Sequence, residues 1–418
     1  MTLETRTLDE SDVADWVRAL GTGFHRAPSV TDEEVAARRP GFDLARTRGA
    51  FDRGRCVATF RSMPRELTVP GGAFVAASAI TNVAVTATHR RRGLASRMMA
   101  ADLADAKERG EAVAILVAAE YPIYGRFGFG PATWVVDWEV NVPRAAMDGR
   151  YAGPTDGGRV DLADIAEVRK SGPALHERVR ALTPGAISRD GRWWDVVTGE
   201  VQFPSQPWTE PFVALHRDEH DEVQGLVAYR TIDHPWPGKL PRVDAQVLQL
   251  IAATPAAEQA LWRFLLSLDW VTMINSGHRA PDDVLPLLLG DPRAARTETH
   301  ADFMWLRMLD VPVALSARTY GGAAARLVLE VRDDAGLAGG RFVLETDATG
   351  AGRCTAASPA DAAELTLDVA DLGCLYLGDE SASRLAALGR VTEHRPGAVG
   401  SADTLFRTAR RPWCPEVF

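Results

Sequence analysis

The sequence of 418 residues contains little cysteine, and its four cysteines form no closely spaced pair. Cys56, Cys354, Cys374 and Cys414 are scattered along the chain. This distribution argues against a disulfide framework and against a structural zinc site, both of which need cysteines at characteristic spacings. We expect four free thiols, as is usual for a protein of a reducing compartment.

Long apolar runs are also lacking. The most apolar stretch, FVAASAITNVAVTAT, is interrupted by Ser78, Thr81, Asn82 and Thr86 and is too short to cross a bilayer as a helix. The first residues, MTLETRTLDESDVADW, contain no basic region followed by an apolar core, so no secretory signal is visible. We therefore expect a cytoplasmic protein with no membrane partner.

Positive charge is scarce, since the net charge is −9. This balance argues against general nucleic-acid binding and agrees with small cationic partners. The basic run HRRR at residues 89–92 is therefore a local feature on an acidic background. The length of the chain and its apolar content of 46% predict a globular protein of two or three domains.

The pattern along the chain predicts three segments, residues 1–150, 151–295 and 296–418, with TDGGR as a linker after the first. The first segment predicts a strand meander, a helix that begins at Arg90 and ends at Gly110, and a buried strand in EAVAILVAAE. In the second segment, VDLADIAEVRKSGPALHERV predicts a helix, FVALHRDEHDEVQGLVAYRTI a hairpin, and ATPAAEQALWRFLLSL another helix. The third alternates strands and turns, with a short helix near SRLAALG, which is an α+β pattern.

The start of the predicted helix at Arg90 has the chemistry of an anion site. Unpaired first-turn amides and the helix dipole favour negative charge there. The three arginines add positive charge, and Gly93 allows the backbone to approach a phosphate closely. A pyrophosphate fits this combination.

The spacing Arg90, Gly93, Ala95 after the strand TNVAV resembles the acetyl-coenzyme A motif of the GNAT acetyltransferases. YGRFGF at residues 124–129 resembles the tyrosine and glycine-phenylalanine ending of the same fold. The resemblance implies acetyl-coenzyme A (acetyl-CoA) as cosubstrate. It places the cofactor contacts on three stretches: strand residues Val83, Ala84 and Val85; loop and helix-start residues Arg91, Arg92, Gly93, Leu94, Ala95 and Ser96; and strand-end residues Ala119 and Glu120.

Amine acetylation needs a proton donor for the departing thiolate. Tyr124 suits this role because a phenol with a reference pKa of about 10 is protonated at neutral pH. Tyr121 is the competing candidate, and the YGRFGF position favours Tyr124.

The whole chain resembles the Eis (enhanced intracellular survival) family of bacterial N-acetyltransferases. DFMWLRMLDVPVAL and the aromatic ending PWCPEVF add to the match of ITNVAVTATHRRRGLASRMM. The resemblance implies two tandem GNAT-like domains, each a mixed sheet flanked by helices, and a third α+β domain like sterol carrier protein. It implies acetylation of aminoglycosides or lysine side chains, a hexamer, and the C-terminal carboxylate, here that of Phe418, as general base. Position suggests Asn82, His25 and Glu416 for the amine pocket.

Two further motifs and one further function compete with this interpretation. HRDEH at residues 216–220 has the spacing of a zinc site but lies between two predicted strands, so we expect a hairpin turn and no metal. GGAAAR at residues 321–326 lacks the Lys-Ser or Lys-Thr of a phosphate loop. The alternative function is a non-catalytic GNAT scaffold whose third segment binds an apolar ligand.

Overall fold

The computed structural model describes residues 3–26, 29–150 and 157–418. The predicted boundary after residue 150 and the first part of the TDGGR linker, Thr155 and Asp156, lie outside the described residues. The described strands are β1 Glu4–Thr7, β2 Thr47–Asp52, β3 Arg55–Thr68, β4 Phe74–Val85, β5 Val113–Val117, β6 Gly130–Pro131, β7 Trp134–Asn141, β8 Arg159–Ala163, β9 Phe212–Arg217, β10 Val223–Asp233, β11 Val243–Ala252, β12 Val271–Asn275, β13 Ala295–Asp302, β14 Met304–Met308, β15 Ala325–Arg332, β16 Gly340–Thr346, β17 Gly352–Ala356, β18 Leu365–Asp368 and β19 Val391–Glu393.

The described helices carry the remaining regular structure. They are α1 Val13–Gly23, α2 Asp32–Arg38, α3 Leu94–Glu108, α4 Tyr121–Tyr124, α5 Ile165–Arg180, α6 Gly191–Val197, α7 Pro255–Leu266, α8 Leu285–Leu288, α9 Val311–Ala317, α10 Val369–Tyr376, α11 Ala382–Ala387 and α12 Ala398–Phe406.

Three mixed sheets organise these elements. The first has the strand order β1-β2-β3-β4-β5-β14-β6, the second β13-β7-β12-β11-β10-β9-β8, and the third β17-β16-β15-β18-β19. Helices flank each sheet, as the α/β prediction required. One prediction for the second segment was wrong: the start of VDLADIAEVRKSGPALHERV forms the strand β8, and the helix α5 begins only at Ile165. Asp164, whose side chain accepts the Glu167 amide at 2.9 Å, fixes that start.

The first two sheets each contain a strand from a distant part of the sequence. β7, which follows the first segment's helices in sequence, pairs with β12 and β13 of the second sheet. β14, which follows the second segment, lies between β5 and β6 of the first sheet. The predicted boundaries at residues 150 and 295 stay predictions, and the sheets themselves are not contiguous in sequence.

A buried carboxyl group lies in the core behind the first sheet. Ser62 Oγ on β3 donates to Asp102 Oδ1 on α3 at 2.7 Å, and both side chains are buried. Burial raises the pKa of Asp102 to about 6, because the charged form loses its hydration. The folded protein therefore holds a proton on Asp102 at pH values where the unfolded chain has released it.

This proton predicts how stability depends on pH. Below the unfolded pKa near 3.8 the carboxyl is protonated in both states, and its burial does not reduce the free energy of unfolding. As pH rises through about 6 the buried group must ionise, and the free energy of unfolding falls. We expect Asp102→Asn to stabilise the protein increasingly from pH 4.5 to pH 8, by about 3 kcal/mol at most. Urea denaturation at both pH values measures it, with the exposed Asp334→Asn as control. A gain independent of pH, or a loss at pH 8, would contradict the assignment.

Candidate active site

The strands β4 and β5 separate in the middle of the first sheet. They pair in parallel from Ala77 and Val113 to Ile80 and Leu116, and the pairing ends there. Directly after this point the β3–β4 register shifts, and Asn82 takes a left-handed conformation with φ +56°. Such a bulge bends a strand away from its neighbour. The edge formed by Val83, Ala84 and Val85 is thereby left without a β5 partner in the described chain.

A hydrogen bond holds this bulge in place. The buried side chain of Thr59 on β3 donates its hydroxyl to the backbone oxygen of Asn82 at 2.8 Å. This contact could not be predicted from the sequence, because a threonine in a strand pattern indicates only strand propensity.

The basic loop after β4 differs in one respect from the prediction. The helix α3 begins at Leu94 and not at Arg90, because Arg91 and Gly93 have left-handed backbones with φ +63° and +74°. A right-handed helix cannot include these conformations. Residues 90–93 instead form an exposed loop that leads into the helix.

This loop keeps the anion-binding character predicted for it. The first hydrogen bond of α3 runs from Arg97 N to Gly93 O at 3.0 Å, so the amides of Leu94, Ala95 and Ser96 precede the helical ladder. Alternating left-handed residues point further backbone amides toward one concave side. With the exposed side chains of Arg91 and Arg92 beside it, the loop fits a pyrophosphate, and the free edge of β4 fits an extended pantetheine arm.

Tyr124 is the last residue of the short helix α4, which follows β5. Its ring is 8% exposed and packs edge-on against Phe129 and Trp305, with ring centroids 6.4 Å and 6.5 Å away. It belongs to the hydrophobic cluster against which Val83 and Val85 pack. Burial raises the pKa of Tyr124, with a smaller contribution from Glu120. The phenol therefore stays protonated at neutral pH, as a proton donor must.

The other residues predicted around Tyr124 are solvent-facing. Ala119 and Glu120 are exposed in the turn between β5 and α4. Tyr121, the competing candidate, is 54% exposed and stacks edge-on against Trp305 at 4.9 Å. Tyr124 is thus much more buried than Tyr121, and this difference favours Tyr124 as the proton donor.

The turn after Tyr124 is anchored by an arginine that the sequence did not single out. Arg307 on β14 is almost fully buried and donates to the backbone oxygen of Phe127. Its Nη2 also forms an ion pair with Oδ1 of Asp333, the residue after β15 of the third sheet, at 2.8 Å. Gly128 has φ +81°, and a Cβ at this position would lie 1.7 Å from Arg307 Nη1. Gly128, the second glycine of YGRFGF, is therefore needed for the approach of this guanidinium.

The C-terminal tail is held by a buried glutamate two residues before its end. Glu416 Oε1 lies 2.9 Å from His176 Nε2 and 3.1 Å from Arg189 Nε, and Glu416 Oε2 accepts the Ile187 amide at 3.2 Å. Burial opposes ionisation of this carboxyl, but the hydrogen bond from His176 and the charge of Arg189 outweigh it and lower the pKa of Glu416. Glu416 is thus occupied as an anchor of the tail, and its suggested place in an amine pocket stays untested.

The anchor restricts where Phe418 can lie. Two residues of extended chain span at most about 7 Å, so Phe418 is close to the Glu416 cluster. Its side chain is partly buried against the core cluster that includes Leu67 and Ile187. These two residues form a bridge between β3 and the second segment. The tail therefore ends close to the Glu416 cluster, with its last side chain against this hydrophobic core.

The remaining residues singled out in the sequence lie on different elements of the structure. Asn82 forms the bulge described above, and His25 is exposed after α1. HRDEH spans the end of β9 and the β9–β10 turn, as expected for a hairpin, with His216 buried and His220 exposed. The four cysteines are free, as predicted, and the structure also buries all four.

Among the described residues, no helix combines the length and the hydropathy that a membrane span needs.

Comparison with known proteins gives the family. Residues 4–132 and 185–308 each match a model described as acetyltransferase (GNAT) domain, and residues 311–415 match a sterol carrier protein domain. The N-acetyltransferase Eis of Mycobacterium tuberculosis is 39% identical over 336 residues, which cover 79% of this chain and 77% of that protein. The chain belongs to the Eis family of N-acetyltransferases.

A further relative and a solved structure support this family assignment. An uncharacterized N-acetyltransferase of Streptomyces avermitilis is 58% identical over 416 residues, covering 100% of this chain and 99% of the relative. The crystal structure of Eis1 from Mycobacterium abscessus matches with a TM-score of 0.84 at 33% identity, over 99% of this chain and 100% of that chain. The two GNAT domains, the sterol-carrier-like domain and the acetyltransferase activity expected from the sequence are thereby confirmed.

The tail anchor of this Eis-family chain gives a prediction. Glu416→Gln removes the charge that balances the buried Arg189, and breaking such a pair costs about 3 kcal/mol or more. We expect a lower urea midpoint and faster release of Phe418 by a carboxypeptidase, with Glu219→Gln in the exposed turn as control. Release of Phe418 at the wild-type rate would show that Glu416 does not hold the tail.

Proposed function

We propose that this N-acetyltransferase transfers the acetyl group of acetyl-CoA directly to primary amines of multi-amine substrates, such as aminoglycosides or lysine side chains. Tyr124 serves as general acid and the carboxylate of Phe418 as general base. The observation that carries the proposal is the joint placement of a buried, protonated Tyr124, the free edge of β4 and the basic loop around one strand separation.

The residues of this chain have distinct tasks in that reaction. The backbone edge of Val83–Val85 and the amides of residues 94–96 hold the cosubstrate, whose role is to supply the acetyl group and carry away its sulfur as a thiolate. Arg91 and Arg92 neutralise phosphate charge. Tyr124 donates its phenolic proton to the departing sulfur, since its raised pKa keeps the proton in place until negative charge develops.

The base and the substrate class depend on the tail and on the charge of the whole chain. An α-carboxylate has a reference pKa of about 3.5 and is a weak base in water. At the end of a tail that is held against the core, the Phe418 carboxylate would meet the ammonium group away from bulk water, where its attraction for a proton increases. The net charge of −9 supports a substrate with several positive charges.

Assembly and compartment are part of the same proposal. We expect a homohexamer, as the family resemblance implies. We also propose a cytoplasmic location and, as partner, an amine of a small molecule or peptide. The alternative of a non-catalytic scaffold gains no support, because the loop, the strand separation and the buried Tyr124 are retained together.

The test of the reaction measures thiol release from acetyl-CoA with neomycin as acceptor. We expect the untagged protein to be active and Tyr124→Phe to lose about 100-fold or more in kcat, since general acid catalysis contributes at least that much. Tyr121→Phe serves as matched control and should stay within a few fold. Collapse of the Tyr121 variant with retention of the Tyr124 variant would reverse the assignment of the acid.

A second variant tests the base. Deletion of Phe418 moves the terminal carboxylate to Val417, and we expect a loss of kcat of about 100-fold with unchanged binding of coenzyme A. Calorimetry with coenzyme A provides the binding measurement. Wild-type kcat in the deletion variant would exclude the C-terminal carboxylate as base.

The basic loop has its own prediction. Arg91→Gln removes one exposed charge beside the helix start, so we expect several-fold weaker binding of coenzyme A and a smaller dependence of its Kd on salt. Titration at two ionic strengths measures both, with Arg341→Gln in the third sheet as control. An unchanged Kd would place the phosphates elsewhere.

A further inference from the structure

The second sheet repeats the strand separation of the first. β11 and β12 pair in parallel from Val243 and Val271 to Gln246 and Asn275 and then separate, with α7 as the connecting helix. A cavity of about 340 Å³ lies at this separation, lined by Val247–Ile251, Ser276–Arg279 and residues of the C-terminal tail. The volume lies in the range of small-molecule pockets.

This cavity lacks the features that suit a pyrophosphate. The connection from β11 to α7 contains no arginine or glycine, and the Thr254 side chain already accepts the Ala257 amide at 3.1 Å. Pro255 at the start of α7 has no amide hydrogen, and Glu258 brings negative charge into the first turn. The second separation is therefore unsuited to a second acetyl-CoA.

Two side chains that line the cavity have buried donor atoms without an acceptor. Within the described part of the chain, Arg230 Nε and Trp413 Nε1 are buried and make no hydrogen bond. Arg230 is otherwise held by one hydrogen bond, from Nη2 to Thr209 O at 3.2 Å. Because a buried donor without an acceptor is unfavourable, a ligand with acceptor atoms gains affinity here.

The three arginines that line the cavity differ in their ion pairs. Arg189 is balanced by Glu416, and Arg279 lies 2.7 Å from Asp283 and 3.0 Å from Glu258. Arg230, in contrast, has no carboxylate within ion-pair distance among the described residues. An anion would therefore be attracted to Arg230, whereas an amine beside this guanidinium would be repelled.

Other lining groups neutralise one another or are apolar. His278 is paired with Asp137 through a contact of 2.8 Å between Nδ1 and Oδ1. The indoles of Trp193, Trp208 and Trp413 supply flat apolar surface. Such walls favour a planar hydrophobic body.

We propose that this cavity binds an apolar organic anion, an aromatic carboxylate of the size of naphthoate, at a site separate from the acetyl-CoA site. The carboxylate pairs with Arg230, and the ring lies among the indoles. Trp413 and Val417 line the cavity and belong to the tail that ends in Phe418, so an occupied cavity restrains this tail. The consequence for catalysis rests on the proposed role of Phe418, whereas the binding itself does not.

Calorimetry on the full chain tests the binding with three probes of matched shape, 1-naphthoate, the neutral 1-naphthamide and the cationic 1-naphthylmethylamine. We expect naphthoate to bind at least about tenfold more tightly than the amide, since a charge-assisted hydrogen bond replaces a neutral one. Arg230→Gln should remove this preference and leave amide binding unchanged. The exposed Arg341→Gln is the matched control.

Three results would overturn the proposal: no naphthoate binding at millimolar concentration, equal affinity for carboxylate and amide, or tightest binding of the amine. The last would make the cavity part of the amine site. Carboxypeptidase release of Phe418 measures the restraint of the tail, and we expect naphthoate to slow it several-fold in the wild type but not in Arg230→Gln. Because thiol release without naphthoate is measured separately, failure of the acetyltransfer proposal and failure of this one are distinguishable.

Discussion

The early end of the pairing between β4 and β5 is the constraint on which the rest of the site depends. A strand inside a sheet has both edges occupied, so it can bind an extended ligand only where a neighbour departs. The departure here is fixed by the left-handed Asn82 and by the hydroxyl of Thr59 that bonds its carbonyl. The free edge, the loop amides and Tyr124 all lie around the opening that results.

Rigid support for this opening comes from elsewhere in the chain. β14 pairs along β5, and its Arg307 connects the turn after Tyr124 to Asp333. The helix α10 of the sterol-carrier-like domain packs so closely that a Cβ on Gly130 would lie 2.1 Å from the Ala370 carbonyl oxygen. The third domain thus packs directly against the strands that support the active site. Such backbone-to-backbone packing leaves little freedom for relative movement.

Much of the site could be predicted because its signals are local. Glycine, arginine and helical periodicity follow one another directly at residues 89–108, and the elements around them were predicted correctly. The start of the helix was wrong because the left-handed conformation of Arg91 is set by the loop, and arginine carries no local preference for it. The strand β8 was missed because its five residues precede a strong helical pattern without a turn signal.

What could not be predicted depends on contacts between residues distant in sequence. Glu416 meets His176 and Arg189 from the far end of the chain, and nothing near Glu416 distinguishes a buried anchor from an exposed charge. The sheets to which β7 and β14 belong could not be predicted either, because both strands have ordinary patterns that fit either sheet. Family resemblance supplied the domain types, but pairing between strands follows from the packing of the whole molecule.

The position of β14 has a consequence for the order of events during synthesis on the ribosome. Strands β1 to β6 leave the ribosome long before residues 304–308, so β5 and β6 have no strand between them while the second domain is being made. Domains usually fold one after another as the chain emerges. Here the N-terminal sheet can be completed only after almost three quarters of the chain exists, so the active-site domain must wait for its successor. Until then the exposed edge of β5 is a place where a nascent chain can pair with the wrong partner.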